Sequence, residues 1–264
     1  MDHQWFKQQT EEIGLALAKQ GIRLVVPMKE SFHRESDLIQ PSGASQLASH
    51  IDHTLLKPTA SLSQIQQLCN EAKASEFAAV CVNPCQVTRV KRFLKNSKVK
   101  ICTVIGFPLG ANSTLSKVME TRDAVANGAD EIDMVINIGS LLEKDYASVY
   151  SDIKAVREGA PNQVLKVILE TGYLTKEQIV RGCILTKMAG ADYVKTSTGF
   201  GPGGATIEDI ALMREVVGPN FGVKASGGIR DSTTALAMIK AGATRLGTSS
   251  SMQIVEGLRG ETEY

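Results

Sequence analysis

Residues 189–195 read "AGADYVK", and near-identical segments stand at 127–133, "NGADEID", and at 241–247, "AGATRLG". In each, a glycine closes helix-like sequence just before a short β-favouring run. Glycine supplies the left-handed residue that stops a helix, so the three segments describe one helix-to-strand unit used repeatedly. Working outward from them, eight β-rich runs can be counted: "HIDHTLL" at 50–56, "FAAVCV" at 77–82, "KICTVIGF" at 100–107, "EIDMVIN" at 131–137, "VLKVILE" at 164–170, "YVKTS" at 193–197, "GVKAS" at 222–226 and "RLGTSS" at 245–250. Between them lie stretches with helical spacing, such as "TIEDIALMREVVG" from Thr206, where Ile207, Ile210, Ala211, Met213 and Val217 form a stripe. Mostly apolar strands alternating with helices imply a parallel sheet covered by helices. Eight such units make a closed (β/α)8 TIM barrel the natural count. A doubly wound open sheet is the alternative.

Residues 1–45 stand apart from this pattern, which is taken to occupy 46–264. "WFKQQTEEIGLALAKQG" reads as one helix ending at Gly21, and the polar "KESFHRESDLIQPSGAS" reads as a connector. This N-terminal extension is expected to cover the barrel or make a subunit contact, without a catalytic part.

The 264 residues carry 29 Lys+Arg against 28 Asp+Glu, a formal charge of +1, so nothing draws the whole molecule toward nucleic acid or an anionic membrane. Any anion site must be local. Five cysteines (Cys69, Cys81, Cys85, Cys102 and Cys183) are odd in number and lack metal-type spacing, which fits a reducing, cytoplasmic compartment. No run approaches a membrane span, and "IGLALA" is short and flanked by Glu11, Glu12 and Lys19. The four histidines form no metal pattern, and no GxSxG elbow supports a serine hydrolase. "GFGPGG" at 199–204 fits a dinucleotide fingerprint formally, yet it follows the sixth strand and contains Pro202, so it reads as a loop over the site.

The chemistry lies in the strands. Lys195 in "YVKTS" and Lys224 in "GVKAS" stand where a buried strand favours Val or Ile. Lys166, Asp133, Asp52 and Cys81 can share their inward-facing phase, since side chains alternate across a strand. A lone strand lysine usually faces solvent or neutralises a carboxylate. Several in apolar strands are different, because an unpaired buried charge costs several kcal/mol and is kept mostly for function. An amine nucleophile must be neutral, and a second ammonium about 5 Å away disfavours the first charge by roughly 3 kcal/mol at an effective dielectric near 20. A lysine pair in a barrel core is thus suited to forming an imine with a carbonyl. Loops "SGGIR" at 226–230 and "GTSS" at 247–250 offer bare N–H groups and hydroxyls where barrels often hold a phosphate.

From about residue 47 to 252 the chain resembles the deoxyribose-phosphate aldolase family, through "IDHTLLKP", "AVCVNP", "VIGFPLGAN", "GADEIDMVINIG", "VKTSTGFGPGGAT" and "VKASGGIR". That resemblance implies a class I aldolase that reversibly splits 2-deoxy-D-ribose 5-phosphate into acetaldehyde and D-glyceraldehyde 3-phosphate. It implies no metal and no organic cofactor. By it, Lys195 forms the Schiff base, Lys224 is the neighbouring ammonium that favours its reactive form, and Asp133 drives proton relay. Asp52, Thr103 and Lys166 are expected to line the interior, and Cys81 to occupy the place of a cysteine that aldehyde products capture. Gly199, Gly227, Gly228, Gly247, Ser249 and Ser250 are expected around the phosphate. Phe200 departs from members that carry a lysine there, which shifts the expected phosphate contacts toward backbone and hydroxyls. Tyr264 ends the chain with a tyrosine, as in members whose tail assists proton transfer. Expected partners are sugar phosphates and aldehydes, with neither nucleic acid nor membrane, and a homodimer is the favoured assembly. Other imine-forming barrel aldolases or transaldolases, and a barrel that binds sugar phosphates without catalysis, are the competing readings.

Overall fold

The computed structural model describes residues 3–22 and 43–260. Most of the proposed connector, and Tyr264, lie outside the described residues. Helix α1 (His3–Lys19) is followed, after a 3-10 turn at Ala44–His50, by the repeating units. These are β1 (Ile51–Leu55), α2 (Leu62–Ala74), β2 (Ala79–Val82), α3 (Val87–Phe93), β3 (Lys100–Ile105), α4 (Thr114–Asn127), β4 (Glu131–Val135), α5 (Ile138–Leu142) and α6 (Tyr146–Gly159). The second half continues with β5 (Val164–Ile168), α7 (Lys176–Met188), β6 (Tyr193–Lys195), α8 (Ile207–Val217), β7 (Gly222–Ser226), α9 (Ser232–Lys240), β8 (Arg245–Thr248) and α10 (Ser251–Val255).

The strands pair in chain order, all parallel, and β8 closes on β1, so the sheet is a barrel and the doubly wound alternative falls. Each strand lies inside one of the eight runs read from sequence. The repeated glycines behave as expected: Gly128, Gly190 and Gly242 have φ of 110°, 82° and 118°, where a side chain would be strained. Helix starts are equally local. Ser61 before α2 and Thr175 before α7 form reciprocal capping boxes with Gln64 and Gln178.

Alternation divides every strand between two environments. Val80, Ile101, Ile132, Val167, Val194 and Val223 point outward into the large core shared with the helices. On the other face, Ala79, Cys81, Cys102 and Val104 form a separate small cluster with Leu56, and Phe107 packs against it. The apolar outer layer thus supplies the stability that lets the inner face carry charge. Helix α1 joins the outer layer, packing against α6 and α7 with Ile13 and Leu17 fully buried. Arg181 on α7 fixes it, donating from Nε to Gln9 at 2.8 Å and lying 3.6 Å from Glu12. Among the described residues, no helix is long and apolar enough to cross a membrane.

Candidate active site

Strand register brings the charged residues together. Lys195 on β6 is the register partner of Lys224 on β7, and Asp133 on β4 is the partner of Lys166 on β5. Across the barrel, Asp133 joins all three lysines: its Oδ2 accepts from Lys195 and from Lys224, each at 2.8 Å, and its Oδ1 accepts from Lys166 at 2.9 Å. Lys224 also donates to Asp52 Oδ2 at 2.5 Å. The three lysines and both aspartates are at most 2% exposed.

Two further charged residues complete the network. Glu131, two positions before Asp133 and therefore on the same face, accepts from Lys166 at 2.5 Å. Arg245, two positions before Gly247, donates to Asp52 Oδ1 at 2.7 Å and reaches Glu131 Oε2 at 3.1 Å. Neither was singled out from sequence, although the alternation that placed Asp133 inward also contains Glu131, and Arg245 stands two positions before Gly247 on β8. Among the described residues the interior network holds four cationic side chains facing three carboxylates. Lys166 has three carboxylate neighbours and Lys224 two, whereas Lys195 has Asp133 alone. Lys195 is thus the lysine of the three with the fewest carboxylate contacts.

The ionisation of its neighbours follows from the same contacts. For Lys224, burial opposes the charge, but the Asp133 and Asp52 carboxylates raise its pKa well above the ordinary lysine value. Lys166 is raised in the same way, with burial opposing and Asp133 and Glu131 among the groups that win. Burial also opposes ionisation of Asp133, yet Lys166, Lys195 and Lys224 hold it well below the usual carboxylate range. Asp52 is lowered too, with burial outweighed by Lys224, Arg245 and Lys166.

Cys81 faces the interior as expected, and the Cys102 thiol hydrogen-bonded to it lowers its pKa against the effect of burial. Thr103 does not line the interior. It falls in the phase of Ile101 and Ile105, toward the helices, and its hydroxyl donates to the Val82 carbonyl at 2.8 Å. Cys102 takes the inward position instead, with its Sγ 3.1 Å from Asp133 Oδ1. Donor atoms of Cys81, Cys102 and Asp133, and of Asp52, Cys102 and Glu131, lie close enough for a cation. Their carboxylates are already neutralised by the lysines and Arg245, which fill the electrostatic place of a metal.

At the C-terminal ends of β6, β7 and β8 a cavity of about 430 Å³ is lined by Gly199, Gly201, Gly203, Gly204, Gly227, Gly228, Ile229, Arg230, Gly247, Thr248 and Ser249. The wall is mostly bare backbone, and Arg230 is its one charged residue. Arg230 closes the "SGGIR" motif, whose glycines carried the sequence signal for a phosphate site while its arginine did not. Gly247 joins the cavity to the lysines: a Cβ there would meet Lys224 Cε at 2.9 Å. Ser250 does not line the cavity. Its N–H is taken by Thr248 Oγ1 at 3.0 Å, and its buried hydroxyl packs against Gly260. The Ser197 hydroxyl, buried two residues past Lys195, has no hydrogen-bond partner in the structure. Phe200 stands across from Phe107, ring centroids 5.3 Å apart and nearly perpendicular. The arrangement combines a buried lysine, a carboxylate held beside it and a glycine-rich cavity at the strand ends.

Comparisons with known proteins agree on one relationship. A model of the DeoC/LacD family aldolases matches residues 46–256. The deoxyribose-phosphate aldolase of Brevibacillus brevis is 60% identical over 210 residues, which cover 80% of this chain and 95% of that one. That of Clostridium perfringens is 58% identical over 220 residues, 83% of this chain and 98% of its own. Among solved structures, a candidate deoxyribose-phosphate aldolase from Coccidioides immitis superposes with a TM-score of 0.81 at 44% identity, covering 94% of this chain and 96% of that one. The tetrameric deoxyribose phosphate aldolase of Aeropyrum pernix gives 0.77 at 33% identity, over 82% and 92% of the two chains.

Proposed function

The chain belongs to the DeoC/LacD family of aldolases, and from that premise we propose that Lys195 is the amine on which its reaction runs. The reaction is the class I cleavage of 2-deoxy-D-ribose 5-phosphate to acetaldehyde and D-glyceraldehyde 3-phosphate. The observation that carries the assignment is the contact of Asp133 Oδ2 with both Lys195 and Lys224 at 2.8 Å. It sets the Lys195 amine beside an ammonium and a carboxylate whose contacts hold both charged.

In this reading neutral Lys195 Nζ attacks C1 of the open-chain sugar, and loss of water leaves a protonated imine, the electron sink. A water held between Asp133 and Lys224 takes the proton of the 3-hydroxyl and later returns it to C2 of the enamine. The C2–C3 bond then breaks: C3 becomes the aldehyde of glyceraldehyde 3-phosphate, and the bonding pair passes to the imine as an enamine. Protonation at C2 and hydrolysis release acetaldehyde and restore the amine. Lys166 and Arg245 keep Asp133 and Asp52 ionised throughout. The 5-phosphate fits the cavity of Gly199, Gly227, Gly228, Gly247 and Ser249, with Arg230 supplying charge.

The test is to incubate the protein with acetaldehyde and a mild hydride reductant. One ethyl group should be fixed on the peptide containing Lys195, and Lys195→Ala should lose both adduct and turnover. Labelling chiefly at Lys224 would exchange the two roles, and a folded protein forming no adduct would leave only a sugar-phosphate binder. For the assembly we propose a homodimer. Exposed Leu109, and Leu115 and Met119 one turn apart on α4, supply apolar surface near one end of the barrel.

A further inference from the structure

Glu170 is a buried carboxylate to which the reaction above gives no task. It lies two residues beyond β5 with φ of 55°, a left-handed conformation that a non-glycine residue keeps only where its surroundings overdetermine it. What surrounds it is the loop after β6. The Thr198 N–H donates to both carboxylate oxygens, at 3.2 and 3.3 Å, and the Thr198 hydroxyl donates to Oε2. That hydroxyl in turn accepts from the Phe200 N–H at 3.0 Å. One carboxylate thus fixes the backbone on both sides of Gly199. Two close approaches brace the same loop. A Cβ on Gly201 would lie 2.9 Å from Glu170 Cδ, and a Cβ on Gly172 would collide with the Pro202 carbonyl.

We propose that Glu170 is a positioning residue for substrate phosphate: it clamps the loop from Thr198 to Gly201 so that the backbone of Gly199 and Gly201 forms one wall of the anion cavity. The clamp rests on the reading of that cavity as the phosphate site. Glu170 touches no reacting atom in this assignment. It acts through Thr198, and its effect is confined to substrates that carry the phosphate.

The experiment compares kcat and KM for 2-deoxyribose 5-phosphate and for unphosphorylated 2-deoxyribose in Glu170→Ala, Glu170→Gln, Gly201→Ala and Ser249→Glu. Glu170→Ala should cut the preference for the phosphorylated sugar, as a ratio of kcat/KM values, about tenfold or more, mainly through KM. Glu170→Gln keeps one carbonyl acceptor for the Thr198 N–H and should fall between it and the parent. Gly201→Ala presses on the clamp from the opposite side with Glu170 intact, and should give the same signature even if Glu170→Ala does not fold. The acetaldehyde adduct at Lys195 should still form in each. Equal losses on both sugars would make Glu170 merely structural and overturn the clamp. Lost preference in Ser249→Glu alone would overturn it while leaving the phosphate site in place. Unchanged preference in Ser249→Glu would remove the phosphate site, and the clamp with it.

Discussion

Asp133 shows how much one residue can carry in a desolvated site. Its two oxygens serve three ammonium groups, and breaking such a buried network by removing one partner costs on the order of 3–5 kcal/mol. The shared oxygen makes Lys224 more than a neighbour. Lys224→Leu removes the ammonium that shares Asp133 Oδ2 with Lys195 and that, in the proposed roles, favours its reactive form. Turnover at neutral pH should fall by about two to three orders of magnitude, and the pH optimum should move to higher pH, read from rate profiles of parent and variant. An unmoved optimum would show that another group sets the state of the nucleophile. The principal residues were legible because lysine and aspartate are conspicuous in apolar strands. Glu131 and Arg245 were not picked out, since each stands at the first position of its strand, where a charged residue ordinarily meets solvent.

At the scale of the element, the instructive case is β3. Its sequence, Lys100–Ile105, carries one small polar or thiol group in each phase, Cys102 in one and Thr103 in the other. A hydroxyl looks the better lining for a polar interior. The deciding signal is its company: Ile101 and Ile105 flank Thr103 at i±2 and need the helix layer, so Cys102 and Val104 must turn inward. Thr103→Val should therefore cost about 1 kcal/mol for the hydrogen bond to Val82 and leave kcat within a factor of two or so. Cys102→Val, against Asp133, should lower kcat. Denaturation midpoints and initial rates on the two variants check both halves, and the reverse pattern would return Thr103 to the interior. Loop geometry was less legible than strand identity, because the left-handed Glu170 and the turn of Ser250 away from the cavity depend on contacts between units distant in sequence.

At the scale of the molecule, the barrel count could be read from sequence because each unit states its own boundaries, while the seat of the N-terminal extension could not. Its apolar stripe shows that α1 must be covered but not by what; the structure gives α6 and α7. Leu17→Ala should cost about 2–5 kcal/mol, lowering Tm by several degrees, with kcat/KM unchanged because the contact lies on the outer ring. Calorimetry and steady-state kinetics on one preparation would test this, and a parallel loss of activity would tie the extension to the site. The division of every strand into an apolar outer face and a charged inner face also bears on how the chain finds its fold. A strand rotated to its other face would put Val194 or Val223 into the lumen and drive Lys195 or Lys224 into an apolar helix layer with no carboxylate waiting. The misfolded alternatives nearest in geometry are thus far away in energy, and the charges proposed for catalysis also proofread the assembly of the barrel that holds them.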